Sequence, residues 1–219
     1  MASKLRSPLQ PPEAATEAAI ERTLGRWRVR RLAQTDSTNC ALKALAQGGA
    51  PAWQCLYADE QTAGRGQYGR AWHSPPGVGL YCSLLLRPAL TPDELHHVTT
   101  FAGLIVCRAL AELVGDAARL SVKPPNDVFL DGRKVAGILV EADWRQGKLA
   151  FLIVGIGVNI GQTSFPDGLR HPATSLRLAL GDAAPTRDIV LQRILEAFAA
   201  KWDEFASAPA QLAKLAEKV

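Results

Sequence analysis

Apolar and polar positions along the chain follow two periods. Short runs with strand-like alternation or continuous apolar character lie at residues 27–32, 53–58, 79–86, 120–122, 128–130, 134–141 and 149–160. Between them lie stretches of helical character. Residues 13–24 have helix-forming composition and stop at Gly25, and residues 40–46 form an apolar-periodic turn set. The second has its cap in the polar cluster Thr35-Asp36-Ser37-Thr38-Asn39 and its stop at Gly48-Gly49. Thr91-Pro92-Asp93-Glu94 sets a threonine cap, a proline at the first helical position and a glutamate three residues after the cap. The helix it starts is expected to run to Val114, with Gly115 ending it, and residues 189–205 predict a last long amphipathic helix. Beyond it, residues 206–210 lead to a short helical tail ending at Val219.

Asp131-Gly132 is a type I′ turn signal, and Arg145-Gln146-Gly147 turns the chain again. Strands joined by such short turns pair antiparallel. The expectation is an α+β fold: a mixed, mostly antiparallel sheet with helices packed on one face. Residues 1–25, with their proline-rich stretch at 7–12, read as an N-terminal extension. Residues 26–206 read as one domain and 207–219 as a tail.

Composition narrows the class. Hydrophobic residues are 47% and charged residues 21% of 219, enough apolar material for a core without disulfide or metal staples. The net charge of +4, with no block of like charges, suits a small anionic substrate or an acidic partner better than a nucleic acid. Cys40, Cys55, Cys82 and Cys107 are widely spaced in apolar runs, as expected of small core residues in a reducing compartment. Without a long apolar leader or spanning run, a cytoplasmic location is expected.

Four polar islands interrupt the apolar pattern at strand ends: residues 35–39, 60–72, 123–127 and 155–161. The second, Glu60 to Trp72, is rich in glycine and arginine. Gly64, Gly66 and Gly69 permit close backbone approach, and Arg65 and Arg70 carry guanidinium forks suited to carboxylate or phosphate. The string Gly64-Arg65-Gly66-Gln67-Tyr68-Gly69 satisfies G-x-G-x-x-G. Its continuation through His73-Ser74-Pro75-Pro76 cannot open the helix a dinucleotide fingerprint requires. In the third island two prolines hold Lys123, an ammonium placed to neutralise developing anionic charge; a solvated lysine at a proline-rich turn is an equal alternative. There Asp127 could hold a cation or the lysine, and Asn126 could cap the turn.

Asn159, in a strand with two glycines, offers both donor and acceptor to a base edge or to its own core. Trp72 could stack on a base or fill the core. Adjacent histidines on a helix are expected to face different ways, so His96-His97 are expected to make a poor metal pair. A nucleophile elbow, a P-loop and a H-E-x-x-H motif are all missing.

These islands, in this order and together with Arg133-Lys134-Val135-Ala136-Gly137-Ile138-Leu139-Val140-Glu141, resemble the catalytic domain of biotin protein ligases from about residue 32 to residue 160. The resemblance implies a sheet-and-helix domain akin to the class II aminoacyl-tRNA synthetases. It implies a two-step reaction: biotin and ATP give biotinyl-5′-AMP and pyrophosphate, and a lysine of a carboxylase biotin carrier domain then attacks the mixed anhydride. By position it puts Ser37, Thr38, Asn39 and Gln61 at the biotin head. Arg65, Gly66 and Gln67 fall at the carboxylate and phosphate, and Lys123 between the reacting oxygens. Arg65 and Lys123 are thus the expected catalytic groups, and Arg70, Trp72, Lys134 and Asn159 the nucleotide contacts. Mg²⁺ is expected to ride on the ATP phosphates with no dedicated protein metal site.

Three departures accompany the resemblance. Pro124 stands where the family usually has tryptophan, which removes an aromatic from the pocket wall. Gln67 replaces a frequent arginine. The small C-terminal β-barrel domain of relatives is not found before Val219. The residues before the catalytic domain are too few for a DNA-binding helix-turn-helix, so a monofunctional ligase without operator binding is expected. A homodimer is compatible with this reading, and no membrane partner is expected. A lipoate or octanoate ligase or transferase of the same superfamily is the alternative enzyme, and a non-catalytic biotin or adenylate binder the alternative from another class. Octanoyl transferases use a cysteine, but Cys82 and Cys107 lie in an expected strand and helix without a neighbouring base.

Overall fold

The computed structural model describes residues 20–212. In chain order its elements are β1 (Ile20–Leu24), β2 (Trp27–Thr35), α1 (Thr38–Gln47), β3 (Gln54–Gln61), β4 (Gly79–Leu86), α2 (Leu95–Val114), β5 (Leu120–Lys123), β6 (Asp127–Leu130), β7 (Arg133–Arg145), β8 (Lys148–Asn159), α3 (Leu176–Leu180) and α4 (Arg187–Ser207). The strands form one eight-stranded sheet in the order β1-β2-β3-β4-β8-β7-β6-β5. Among these strands only β2 and β3 pair in parallel, and α1 is the crossover between them; every other neighbouring pair is antiparallel. The expected mixed, mostly antiparallel α+β architecture is what the structure has.

Alternation along the strands makes two cores. Cys55, Tyr57, Leu84, Leu86, Leu152 and Val154 face α2 and α4, together with Phe101, Phe198 and Trp202. Leu56, Leu85, Phe151 and Ile153 face α1 through Leu42 and Ala46. The two long helices thus share one face, but the short crossover helix covers the other. The expectation of helices on one face alone does not hold, because the parallel β2–α1–β3 crossover places α1 opposite them. With helices on both sides, β4 is buried at every position, which is why it reads as a continuous apolar run.

The Thr91 cluster starts its helix as expected. The Glu94 carboxylate accepts from the Thr91 backbone N–H at 2.8 Å and from its hydroxyl at 2.9 Å, and Gly115 closes α2 at φ 77°. By length and composition Pro92–Val114 could cross a membrane, yet α2 buries its middle against the sheet and α4.

Strand β1 also differs from expectation, and the short α3 is not among the elements expected. Residues 20–24, read as the end of a helix, form β1, which turns at Gly25 (φ 56°) and pairs with β2 from Leu24↔Trp27 to Ile20↔Arg31. Pairing with a neighbouring strand and the packing of Leu24 on the core outweigh local helix propensity there. The rest of that expected helix, and the tail beyond Leu212, lie outside the described residues. Both hairpin turns are as expected: Asp131-Gly132 and Gln146-Gly147 have positive φ at both positions.

Candidate active site

The strand register brings the polar islands to one end of the sheet. Thr35 pairs with Gln61, Gly79 with Asn159, Gly137 with Gly157, Asp127 with Gly137 and Lys123 with Asp127. Over this end lies a cavity of about 290 Å³. Ser37, Thr38, Asn39, Gln61, Arg65, Gly66, Gln67, Arg70, Trp72, Lys123, Lys134 and Asn159 all line it, so every site residue expected from sequence converges on one space.

Strand β8 measures out its floor. Gly155 and Gly157 point the same way, two residues apart. A Cβ at Gly155 would collide with Asn39 Oδ1, and one at Gly157 would come within 2.5 Å of the Trp72 indole. A Cβ at the cross-strand partner Gly137 would reach Trp72 at 2.9 Å. Asn39 and Trp72 therefore sit side by side on bare backbone, the close approach that glycines in a strand signal.

Around Asn39 the cavity is polar and buried. Ser37, Thr38 and Asn39 are each exposed by 4% or less. Thr38 donates its backbone N–H to Gln61 Oε1 at 2.9 Å, and Gln61 Nε2 donates to Ser74 Oγ at 2.8 Å. Asn39 Nδ2 donates to Glu141 at 2.6 Å, and Arg65 donates to the same carboxylate at 3.0 and 3.2 Å. Ser83, fully buried, touches both Thr38 Oγ1 (2.8 Å) and Asn39 Oδ1 (2.6 Å).

Toward Lys123 the cavity becomes cationic. Lys134 Nζ pairs with Asp127 at 2.7 Å and lies 5.2 Å from the Trp72 ring centroid. Lys123 is exposed, has no ion pair among the described residues, and lies 5.5 Å from the Phe129 ring centroid. Asp127 therefore holds Lys134 and not Lys123. The Asn126 amide donates to the Ile138 carbonyl at 3.1 Å, tying the Pro124-Pro125 turn to β7. Partial desolvation, with the charges of Lys123 and Arg170, holds the His171 imidazole below its usual pKa, as a positive local field requires.

The glycine–arginine loop closes on itself. Gly66 N–H donates to the Arg70 carbonyl at 2.7 Å and Trp72 N–H to the Gly64 carbonyl at 2.9 Å, with Tyr68 exposed at the tip at φ 59°. A Cβ at Gly64 would lie 2.5 Å from the Trp72 carbonyl oxygen, so this glycine is needed for closure.

Asn159 lines the cavity with its amide already engaged: Nδ2 donates to the Thr174 carbonyl at 3.0 Å, and Oδ1 accepts from Gln162 at 3.4 Å. It braces the 160–174 segment, which carries Phe165, Leu169, Arg170 and His171 to the cavity wall. Nothing in the residue pattern of that segment marks it as part of a site. Ser83 and Ser74 are likewise absent from the residues expected; the only signal for Ser83 is a lone serine inside the apolar run of β4.

The mixed sheet thus carries a buried amide-and-hydroxyl pocket that opens onto a cationic wall. The chain belongs to the Biotin/lipoate A/B protein ligase family, which it matches over residues 32–159. It is 36% identical over 171 residues to the bifunctional ligase/repressor BirA of Bacillus subtilis, covering 77% of this chain and 52% of that protein. It is 40% identical over 195 residues to the biotin--[acetyl-CoA-carboxylase] ligase of Paracoccus denitrificans, covering 84% and 78%. Among solved structures it resembles the biotin protein ligase from Aquifex aeolicus in complex with biotin and ATP, with TM-score 0.68, 34% identity, and coverage of 82% of this chain and 72% of that one. The chain spans about half the length of the BirA relatives from Bacillus.

Proposed function

We propose that this protein activates biotin with ATP to biotinyl-5′-AMP and transfers the biotin to one lysine of a carboxylase's biotin carrier domain. The observation that carries this reading is the juxtaposition on β8 of a buried polar pocket at Gly155 with an indole and a cationic wall from Gly157 onward. A neutral, hydrogen-bonding head group fits the first and two anions fit the second. The relatives named as biotin ligases support the same choice.

In the first step a carboxylate oxygen of biotin attacks the α-phosphorus of ATP, and pyrophosphate leaves. Both reactants are anions, so their approach needs fixed positive charge. Lys123, without an ion-pair partner among the described residues, and Arg65, held by a carboxylate it can exchange for that of the substrate, supply it. Ser37, Thr38, Asn39 and Gln61 hold the biotin head, and the backbone at Gly66 and Gln67 closes over the carboxylate. Arg70, Trp72 and Lys134 face the nucleotide, with Asn159 shaping the wall behind it. In the second step the amine of the carrier lysine attacks the acyl carbon, and AMP leaves with its oxygen. No enzyme nucleophile is required.

Asp127 is the one carboxylate among the described residues lining the cavity, and it is already 2.7 Å from Lys134. That donor set would suit a Mg²⁺ carried by the nucleotide's phosphate oxygens and not a protein cage. The four free cysteines suit a reducing cytoplasm.

The test is transfer. With ATP, Mg²⁺ and a purified biotin carrier domain, mass spectrometry is expected to find one biotinylated lysine, and lipoate or octanoate in place of biotin to give no modification. Modification by lipoate or octanoate alone would move the assignment to the lipoate side of the family. Tight biotin binding with no transfer and no AMP would make the protein a binder.

A further inference from the structure

The shortest contacts around Asn39 favour one assignment of protons. The Glu141 carboxylate, paired with Arg65, only accepts, so Asn39 turns its Nδ2 to Glu141 at 2.6 Å and to the Leu139 carbonyl at 3.4 Å. Its Oδ1 then faces Ser83 Oγ at 2.6 Å, and an amide oxygen also only accepts. The single hydroxyl proton of Ser83 is thereby directed at Asn39. Ser83 Oγ also lies 2.8 Å from Thr38 Oγ1, and with its own proton engaged it can only accept there. Thr38 Oγ1 also lies 3.1 Å from Gln61 Oε1, but a proton given there would leave the Thr38 and Ser83 hydroxyls facing each other lone pair to lone pair at 2.8 Å. The Thr38 proton therefore points inward, and Gln61 Oε1 is served by the Thr38 backbone N–H at 2.9 Å. The result is a one-way relay, Thr38 to Ser83 to Asn39 to Glu141, ending on a charge.

Ser83 is fully buried and outside the cavity lining, whereas Thr38 and Asn39 line it. With their protons directed inward, these two offer a ligand lone pairs. The Ser37 hydroxyl has no partner among the described residues and keeps a proton to give.

We propose that Ser83 and Glu141 are positioning residues that fix Thr38 and Asn39 as hydrogen-bond acceptors, and so select an acid whose far end carries N–H donors. A cyclic urea supplies N–H groups beside a carbonyl, matching two acceptors next to a donor. An acid ending in hydrocarbon or a disulfide leaves those buried acceptors unpaired, which is strongly discriminating. The inference rests on the biotin reading of the site and adds what sets its selectivity.

The test is calorimetric binding of biotin and of its two cyclic-carbamate analogues, each with one urea N–H replaced by oxygen, to the full chain and to the variants Ser83→Ala and Glu141→Gln. Such an analogue keeps the shape and turns one donor into an acceptor. The unaltered protein is expected to prefer biotin over at least one carbamate by about tenfold or more. Ser83→Ala frees the Thr38 proton to turn outward, so that ratio is expected to shrink to within about threefold. Glu141→Gln, which can donate to Asn39 and reverse the relay, is expected to shrink it as well and stands in if Ser83→Ala does not fold. A purely structural role would weaken all ligands together and leave the ratio unchanged, which overturns the inference. Equal binding of biotin and both carbamates by the unaltered protein overturns it too and leaves the biotin reading standing. Absence of biotin binding by the unaltered protein overturns both.

Discussion

A methyl group at Gly155 would strike Asn39, and one at Gly157 would press into the Trp72 indole. These neighbouring positions on β8 divide the site. Gly155→Ala is expected to weaken biotin binding with little effect on nucleotide, and Gly157→Ala to do the reverse. Each should shift its ligand by about tenfold, at about 1–3 kcal/mol of overpacking. Separate titrations with biotin and a non-hydrolysable ATP analogue read this directly. Lys123→Ala is expected to leave biotin affinity within about threefold while adenylate formation falls by about 10²–10³-fold, because its charge is needed most as the phosphorus is attacked. Normal pyrophosphate release by that variant would remove Lys123 from the mechanism. At this scale the sequence is informative about placement, since Arg65, Gly66, Lys123 and the two β8 glycines that it singles out do line or floor the cavity. It is silent at Ser83, whose role depends on which residues α1 lays over β4.

Among the elements, Asp59 ties together strands and a helix distant in sequence. Arg31 on β2 grips its carboxylate at 3.0 and 2.7 Å, and Arg187 at the start of α4 reaches it at 2.6 Å. Burial alone would raise the Asp59 pKa, but the Arg31 hydrogen bonds and the Arg187 charge outweigh it and hold the carboxyl below its usual value. A depressed carboxylate pKa adds stability that is complete above the unfolded value near 4 and fades as pH falls through the lower folded value. Asp59→Asn is expected to cost about 1–3 kcal/mol at neutral pH and to flatten the stability profile below about pH 4. Denaturant midpoints across that range check both, and an unchanged profile would count against the clamp. Nothing in the spacing of Arg31, Asp59 and Arg187 announces this contact, because it exists only once β2, β3 and α4 are assembled. Elements with their own punctuation are legible: β4, α2 with its Thr91–Glu94 start and Gly115 stop, and both type I′ hairpins. Strand β1 is not, since its conformation comes from pairing with β2 and not from its own propensity.

For the whole molecule, the central fact is convergence. Islands separated by more than a hundred residues reach one cavity because a mixed sheet with a single parallel crossover brings the ends of β2, β3, β5 and β8 and the starts of β4, β6 and β7 to the same edge. Order along the chain makes that convergence readable through family resemblance; the 160–174 wall, which carries no motif, becomes visible only in three dimensions. Biotin-dependent exchange of labelled pyrophosphate into ATP tests the assignment most directly, since it isolates the first half-reaction from the carrier. The expected result is exchange with biotin, none with lipoate or octanoate, and loss of most of it in Lys123→Ala. Exchange that is independent of biotin, or no exchange despite saturating biotin and ATP, would contradict the assignment of this cavity to biotin activation.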